Sequence, residues 1–178
     1  MHFYFARHGQ TYGSRYKLYG QRDVLLSAQG VHDTKRLAEE CLGMHIGAIA
    51  CSNLARTHES ACIIAGCLNL PVHVDVRLRE CSLGSFESEE TGIFYFAQRN
   101  PRELISPAWN YDFRPYGGES DAHVLTRWRE GLEEAYRDYG GTAAILVIGD
   151  LIAMNMVLCR YGALPISTQG EYRHLRLN

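Results

Sequence analysis

The chain lacks any long apolar run. Across its 178 residues nothing approaches the roughly 18 consecutive apolar positions that a membrane-spanning helix needs. It also lacks a charge excess of either sign. Eighteen Lys and Arg stand against 20 Asp and Glu, a net charge of -2, which argues against a nucleic-acid protein. The opening Met1-His2-Phe3 has neither the basic start nor the small-residue cleavage site of a secretory leader, so a cytoplasmic protein is expected. Cysteines are present without pattern. Cys41, Cys51, Cys62, Cys67, Cys81 and Cys159 form no C-x-x-C pair and no Cys/His zinc spacing. Most lie among apolar neighbours, as in Ala61-Cys62-Ile63-Ile64, which predicts buried free thiols. Proline is scarce, and three of the five fall at Pro101, Pro107 and Pro115. That marks residues 82–118 as an irregular middle. No internal repeat, low-complexity stretch or linker interrupts the chain, so one domain over 1–178 is expected.

What is there reads as an alternation of strands and helices. Hydrophobic content of 46% and charged content of 21% are ordinary for a globular chain. His2 to Ala6 reads as the first strand and residues 12–26 as a loop. Ala28 to Leu42 reads as a helix with Ser27 as its N-cap and Gly43 as its stop. Ile46 to Cys51 is a short apolar strand, Leu54 to Leu68 a helix, and Pro71 to Val76 a further strand. A short helix is expected near Gly92 to Gln98. Ser120 to Tyr139 is the clearest helix, with an apolar stripe of Leu125, Trp128, Leu132, Ala135 and Tyr139. Ala143 to Ile148 is continuously apolar, as in a central parallel strand covered on both faces, and Leu151 to Tyr161 follows as an apolar helix. The pattern predicts an α/β fold, a three-layer α/β/α domain with a mostly parallel central sheet.

Four segments carry chemistry. Arg7-His8-Gly9-Gln10-Thr11 sits where the first strand gives way to a loop, the end at which α/β folds bind ligands. A histidine there can act as a nucleophile, and an arginine beside it can hold a phosphate by two parallel hydrogen bonds. Ser52-Asn53-Leu54-Ala55-Arg56-Thr57 puts Arg56 in the first turn of a helix, where free N–H groups also favour an anion. The third segment runs from Leu78 through Glu80 to Glu87, and the fourth is Gly117-Gly118-Glu119-Ser120.

Together these residues resemble the histidine phosphatase superfamily, the phosphoglycerate mutase-like proteins. The family's R-H-G-[EQ]-T motif is matched at Arg7 to Thr11. G-x-x-D-x-x-L-[ST]-x-x-G is matched at Gly20, Asp23, Leu26, Ser27 and Gly30, and S-x-L-x-R-[AT] at Ser52, Leu54, Arg56 and Thr57. L-x-E-x-x-x-G-x-[FW]-E is matched at Leu78, Glu80, Gly84, Phe86 and Glu87, and G-G-E-S is intact. The resemblance implies a phosphoglycerate mutase-like fold and a phosphomonoester hydrolase of a small phosphorylated metabolite. His8 would form a phosphohistidine, Arg7 and Arg56 would neutralise phosphoryl charge, and Glu80 would act as the acid and then the base. It implies no metal or other cofactor. Ser14 and Gln21 are candidate pocket residues. The partner is a small phosphorylated metabolite or inorganic phosphate, with no nucleic acid or membrane, and a homodimer is left open.

One departure touches the chemistry. The family follows its last apolar strand with S-H-G, whereas this chain reads Gly149-Asp150-Leu151. The resemblance therefore puts Asp150 where the second histidine of the phosphate pocket belongs. A carboxylate cannot donate to a phosphoryl group unless it is protonated, and it would oppose phosphate or pair with Arg7 or Arg56. Weak or lost activity is expected, unless another residue such as His123 or His174 supplies the donor, or the aspartate is a deliberate substitution. A non-catalytic phospholigand-binding protein is the rival reading, and a phosphoglycerate-type mutase a third. The aromatics Phe94, Tyr95, Phe96, Trp109, Tyr111, Phe113 and Tyr116 form either a lid over the site or the packing of an irregular cap. The chain stops at Asn178, about where relatives begin a further strand after their last helix; Tyr172 to Leu177 is read as the start of such a strand, so the chain is either truncated or unusually compact.

Overall fold

Alternation sets the first strand, β1 (His2–Arg7). Phe3 and Phe5 point into one apolar cluster, while Ala6, with Tyr4 at its margin, joins a second cluster on the opposite face. This period of two is what a sheet covered on both sides requires. The computed structural model describes residues 1–13, 20–88, 111–141, 143–169 and 171–177. Within them, α1 (Ala28–Glu40), β2 (Ile46–Cys51), α2 (Ala55–Leu68), β3 (Val72–Val74), α3 (Asp121–Tyr139), β4 (Ala144–Gly149), α4 (Leu151–Arg160) and β5 (Tyr172–Arg176) follow β1 in order.

The sheet order is β3-β2-β4-β1-β5. The first four strands run parallel, and β5 pairs antiparallel with β1. β4 lies in the middle and is buried along its whole length. Ile145 and Val147 face one cluster, and Leu146 and Ile148 face the other. The first cluster takes Trp128, Leu132 and Ala135 from α3 and Ile152, Met156 and Val157 from α4. The second takes Leu37 and Ala38 from α1, Cys41 just after it, and Ala61, Ile64 and Ala65 from α2. The result is the expected α/β fold, helices on both faces of a mostly parallel sheet.

Local chemistry accounts for the element ends. Ser27 Oγ accepts from Gly30 N at 3.1 Å and starts α1 as expected. Ser120 does the same for α3, accepting from His123 N at 3.4 Å. The expected strand over Pro71–Val76 is shorter, because the Asp75 side chain accepts from Arg77 N and bends the chain into a 3-10 turn at Val76–Leu78. The stripe of α3 is rotated from expectation: Val124 and Gly131 are buried, whereas Tyr139 is exposed. Cys41, Cys51 and Cys81 are buried free thiols, but Cys62 and Cys67 face outward. Ala61, Ile64 and Ala65 already occupy the core side of α2, which leaves those two thiols on the other side.

The expected helix at 92–98, and Phe94, Tyr95, Phe96 and Trp109, lie outside the described residues. Of the remaining aromatics, Tyr111 and Phe113 are buried in the first cluster and stack with ring centroids 5.8 Å apart. Tyr116 packs edge-on to Phe86 at 4.6 Å. Those three serve packing.

One close approach shapes the exit from β1. A Cβ on Gly30 would lie 1.9 Å from the Gln10 carbonyl oxygen, and a Cβ on Gly9 would lie 2.4 Å from that of Gly30. The first turn of α1 is thus pressed against the Arg7–Thr11 loop, with Ser27 N–H donating to Gln10 O at 2.8 Å. Gly30→Ala is expected to cost on the order of 1–3 kcal/mol through overpacking, read as a lower urea midpoint. An unchanged midpoint would mean that the loop yields freely.

Candidate active site

Strand register places the leading residues side by side. Arg7, the last residue of β1, pairs with Gly149, the last of β4. The next residue of each strand is therefore a neighbour of the other, and His8 N–H donates to Gly149 O at 3.2 Å. His8 and Asp150 meet at the carboxyl ends of the two central parallel strands, the usual ligand edge of such sheets. β2 ends alongside them, since Cys51 pairs with Ile148. The α2 helix that follows β2 brings Arg56.

Four ionisable side chains are nearly enclosed there: His8 is 6% exposed, Arg56 6%, Glu80 3% and Asp150 1%. His8 Nδ1 lies 2.7 Å from the Gly9 carbonyl oxygen. A carbonyl only accepts, so Nδ1 carries the proton and Nε2 is left with its lone pair. Nε2 stands 3.4 Å from Asp150 Oδ1. Burial lowers the His8 pKa to about 4; Asp150 opposes that fall, while Arg56 and Arg7 add to it. At neutral pH the imidazole is uncharged and able to act as a nucleophile.

Arg56 is held at every nitrogen. Its Nε donates to Asp150 Oδ1 at 2.5 Å, and its two terminal nitrogens donate to the carbonyl oxygens of Arg22 (2.6 Å) and Gly20 (2.8 Å). It ties the glycine-containing loop to the strand ends while balancing the aspartate. Asp23, in the same loop, accepts from Ala55 N at 2.6 Å and supplies the cap that Leu54 cannot. Arg7 is half-buried and donates to Ser167 O at 3.3 Å.

Glu80 approaches from the segment after β3. Its Oε1 accepts from Cys81 N and Ala153 N, each at 2.7 Å, and its Oε2 accepts from Ile152 N at 3.0 Å. Asp150 is the N-cap of α4, yet its side chain makes no capping bond. The aspartate turns instead toward Arg56 and His8, and Glu80 satisfies the first N–H groups of α4 from outside the helix. Burial raises the Glu80 pKa and the Asp150 charge raises it further, against three backbone hydrogen bonds that favour the ionised form.

His8, Arg56, Glu80 and Asp150 therefore form one cluster. Gln21 reaches it only indirectly, donating from Nε2 to Glu80 O at 2.9 Å. Ser14 lies outside the described residues. His123 is exposed in the first turn of α3, and His174 stacks on His2 at the sheet edge with centroids 5.6 Å apart. Among the described residues no group of three or more His, Cys, Asp or Glu is placed to hold a metal ion, and no helix is long and apolar enough to cross a membrane.

Arg127 is a supporting residue that sequence reasoning missed. It donates to Glu119 Oε1 and Oε2 at 2.7 and 2.8 Å, and to the carbonyl oxygens of Arg77, Arg79 and Glu80 at 2.6, 2.7 and 2.8 Å. It fastens the Glu80 segment to the start of α3. In sequence it lies among alternating charges on a long helix, where an arginine reads as solvated. Only the intact G-G-E-S segment, which contains Glu119, hinted at a partner.

The shifted His8 carries a stability consequence. Between pH 6.5 and about 4 the unfolded chain takes up a proton that the folded site refuses. Stability from this group is therefore complete above pH 6.5 and is lost as pH falls toward the folded value. At about 1.4 kcal/mol per pH unit, the loss is on the order of 3 kcal/mol. Glu80 acts in the opposite sense, since its raised pKa favours the fold at low pH and loses that contribution as pH rises. His8→Gln should reduce the fall in urea midpoint between pH 6.5 and pH 4. Equal acid sensitivity in the variant and the parent would exclude this linkage.

Comparison with known proteins supplies the context for this cluster. The profile of the histidine phosphatase superfamily (branch 1) matches residues 3–177. A protein named probable phosphoglycerate mutase GpmB, from Enterobacter sp. (strain 638), is 28% identical over 175 residues, covering 98% of this chain and 79% of that protein. Among solved structures, Bacillus stearothermophilus YhfR has a TM-score of 0.82 at 21% identity, covering 99% of this chain and 91% of that one. A mycobacterial glucosyl-3-phosphoglycerate phosphatase in complex with inorganic phosphate has a TM-score of 0.79 at 23% identity, covering 98% and 89%. Those two likenesses bear on the fold.

Proposed function

We propose that this chain, which belongs to the histidine phosphatase superfamily (branch 1), is a phosphomonoester hydrolase acting on a small phosphorylated metabolite through His8. The observation that carries the reading is the imidazole itself. It is neutral, fixed through Nδ1 to the Gly9 carbonyl, and presents Nε2 at the strand ends beside Arg56. Nε2 attacks phosphorus, an N–P bond forms, and the ester P–O bond breaks. A protonated Glu80 gives its proton to the leaving oxygen. Water then attacks the phosphohistidine, the N–P bond breaks, and the Glu80 carboxylate takes the water proton, so the acid is restored. Arg7 and Arg56 stabilise the phosphoryl charge throughout.

In this reading Asp150 occupies the family's second-histidine position, and hydrolysis is slow. A donor is missing there, and Arg56 commits its Nε to the aspartate. The same ion pair favours a second reading, a phospholigand-binding protein that turns over little or not at all. Residues 82–118 as a cap, the single domain and cytoplasmic residence are parts of the proposal. The test is direct. The protein is mixed with an aryl phosphate, quenched in base, and examined for phosphohistidine by 31P NMR. A signal that disappears in His8→Ala supports the hydrolase. Turnover that persists undiminished in His8→Ala would exclude His8 as nucleophile.

A further inference from the structure

Asp150 has two carboxylate oxygens and uses one. Oδ1 accepts from Arg56 Nε and lies 3.4 Å from His8 Nε2. Oδ2 is buried and has no hydrogen-bond partner among the described residues. A buried acceptor without a donor has lost its water and gained nothing in exchange, so this oxygen is set up to receive a donor. The charged groups that interact with Asp150 are His8 from the end of β1, Arg56 from α2 and Glu80 from the segment after β3, and Arg7 lies near His8.

A phosphorus in line with His8 Nε2, about 3–3.5 Å away, brings its oxygens against this carboxylate. Two anionic oxygens brought that close in a site shielded from water repel strongly. The repulsion becomes an attraction if the phosphoryl oxygen carries a proton, because a P–OH donates and a carboxylate accepts. Asp150 cannot readily withdraw, since Arg56 is anchored to it and to two carbonyls. The charge balance agrees when Glu80 is protonated, the form its raised pKa favours. Arg7 and Arg56 then bring two positive charges and Asp150 one negative, which leaves one for the ligand to match.

We propose that this site selects phosphate and its monoesters in the singly protonated, monoanionic form, with the P–OH donating to Asp150 Oδ2. The inference rests on the phosphoryl reading of the site. It predicts discrimination that a histidine at position 150 would not give. Sulfate is tetrahedral and similar in size, but carries no proton near neutral pH, so it meets Asp150 with oxygens that only accept.

Calorimetric titration of the whole chain with inorganic phosphate and with sulfate, from pH 6 to pH 9, tests this. Phosphate is expected to bind at least tenfold more tightly than sulfate at pH 6. Above its second pKa the apparent Kd of phosphate should rise about tenfold per pH unit, following the monoanion fraction. Sulfate shares any effect of Glu80 titration, so its flatter profile isolates the ligand's own proton. Asp150→Asn offers an amide donor and should narrow the phosphate-to-sulfate ratio. The wild-type comparison stands even if that variant does not fold. Equal binding of sulfate and phosphate, or phosphate affinity that strengthens with pH, would overturn the inference and leave the phosphoryl site intact. Failure of folded wild type and folded Asp150→His to bind either anion would overturn the phosphoryl reading, and this inference with it.

Discussion

The Asp150→His protein is expected to hydrolyse an aryl phosphate about 10²–10³ times faster than the wild type, the usual effect of one donor aimed at a developing negative charge. Two effects act together. The imidazole donates to the phosphoryl oxygen where the carboxylate could only accept. Removing Asp150 also releases Arg56 Nε, which otherwise donates to Oδ1. Arg56 stays in place because Arg22 O and Gly20 O still hold its other nitrogens, so the freed donor faces the ligand. Steady-state kinetics with His8→Ala as control measure the change. A folded Asp150→His protein that binds phosphate without any gain in turnover would favour the binding-protein reading.

Much of this arrangement was legible in the sequence because it depends on strand ends. The apolar runs at His2–Ala6 and Ile145–Ile148 mark neighbouring strands, and the polar residues just beyond them had to meet at one edge. Asp23 and Glu87 appeared only as motif positions. In the fold each has a mechanical role. Asp23 caps α2, and Glu87 accepts from the backbone of Gln21 and Leu83 at 3.2 and 2.8 Å. Arg127 was illegible because three of its partners are backbone carbonyls of a distant loop, which leave no trace in residue types, and its side-chain partner Glu119 lies eight residues away, outside the spacing that marks a helix pair. The capping of α4 by Glu80 was hidden for a similar reason. Asp150 stands at the N-cap position of α4, and the fold shows its side chain drawn away by Arg56.

Glu80→Gln, made in the Asp150→His background, should separate the carboxyl group's two duties. A glutamine still offers one oxygen to Ile152 and Ala153, so α4 retains part of its cap. It cannot deliver a proton to a leaving group. For an alkyl phosphate, whose alkoxide leaves poorly, kcat/KM is expected to fall about 10²–10⁴-fold, the range for general acid catalysis. For a nitrophenyl phosphate, whose phenolate leaves without help, the chemistry of the first step should change little. A merely structural glutamate would depress both substrates alike through lost positioning. The pH profile adds a second discriminator. Burial and the Asp150 charge raise the Glu80 pKa, and the first step needs this residue protonated, so the alkyl phosphate rate should fall as pH rises through that value. Asp150→His removes the negative neighbour, and the falling limb should move to lower pH. If the limb stays in place when Asp150 is replaced, another group supplies the proton and the assignment of Glu80 fails. If it moves to lower pH and vanishes in Glu80→Gln, the capping residue of α4 is also the proton donor, because desolvation at the helix start keeps a carboxyl protonated that water would have ionised.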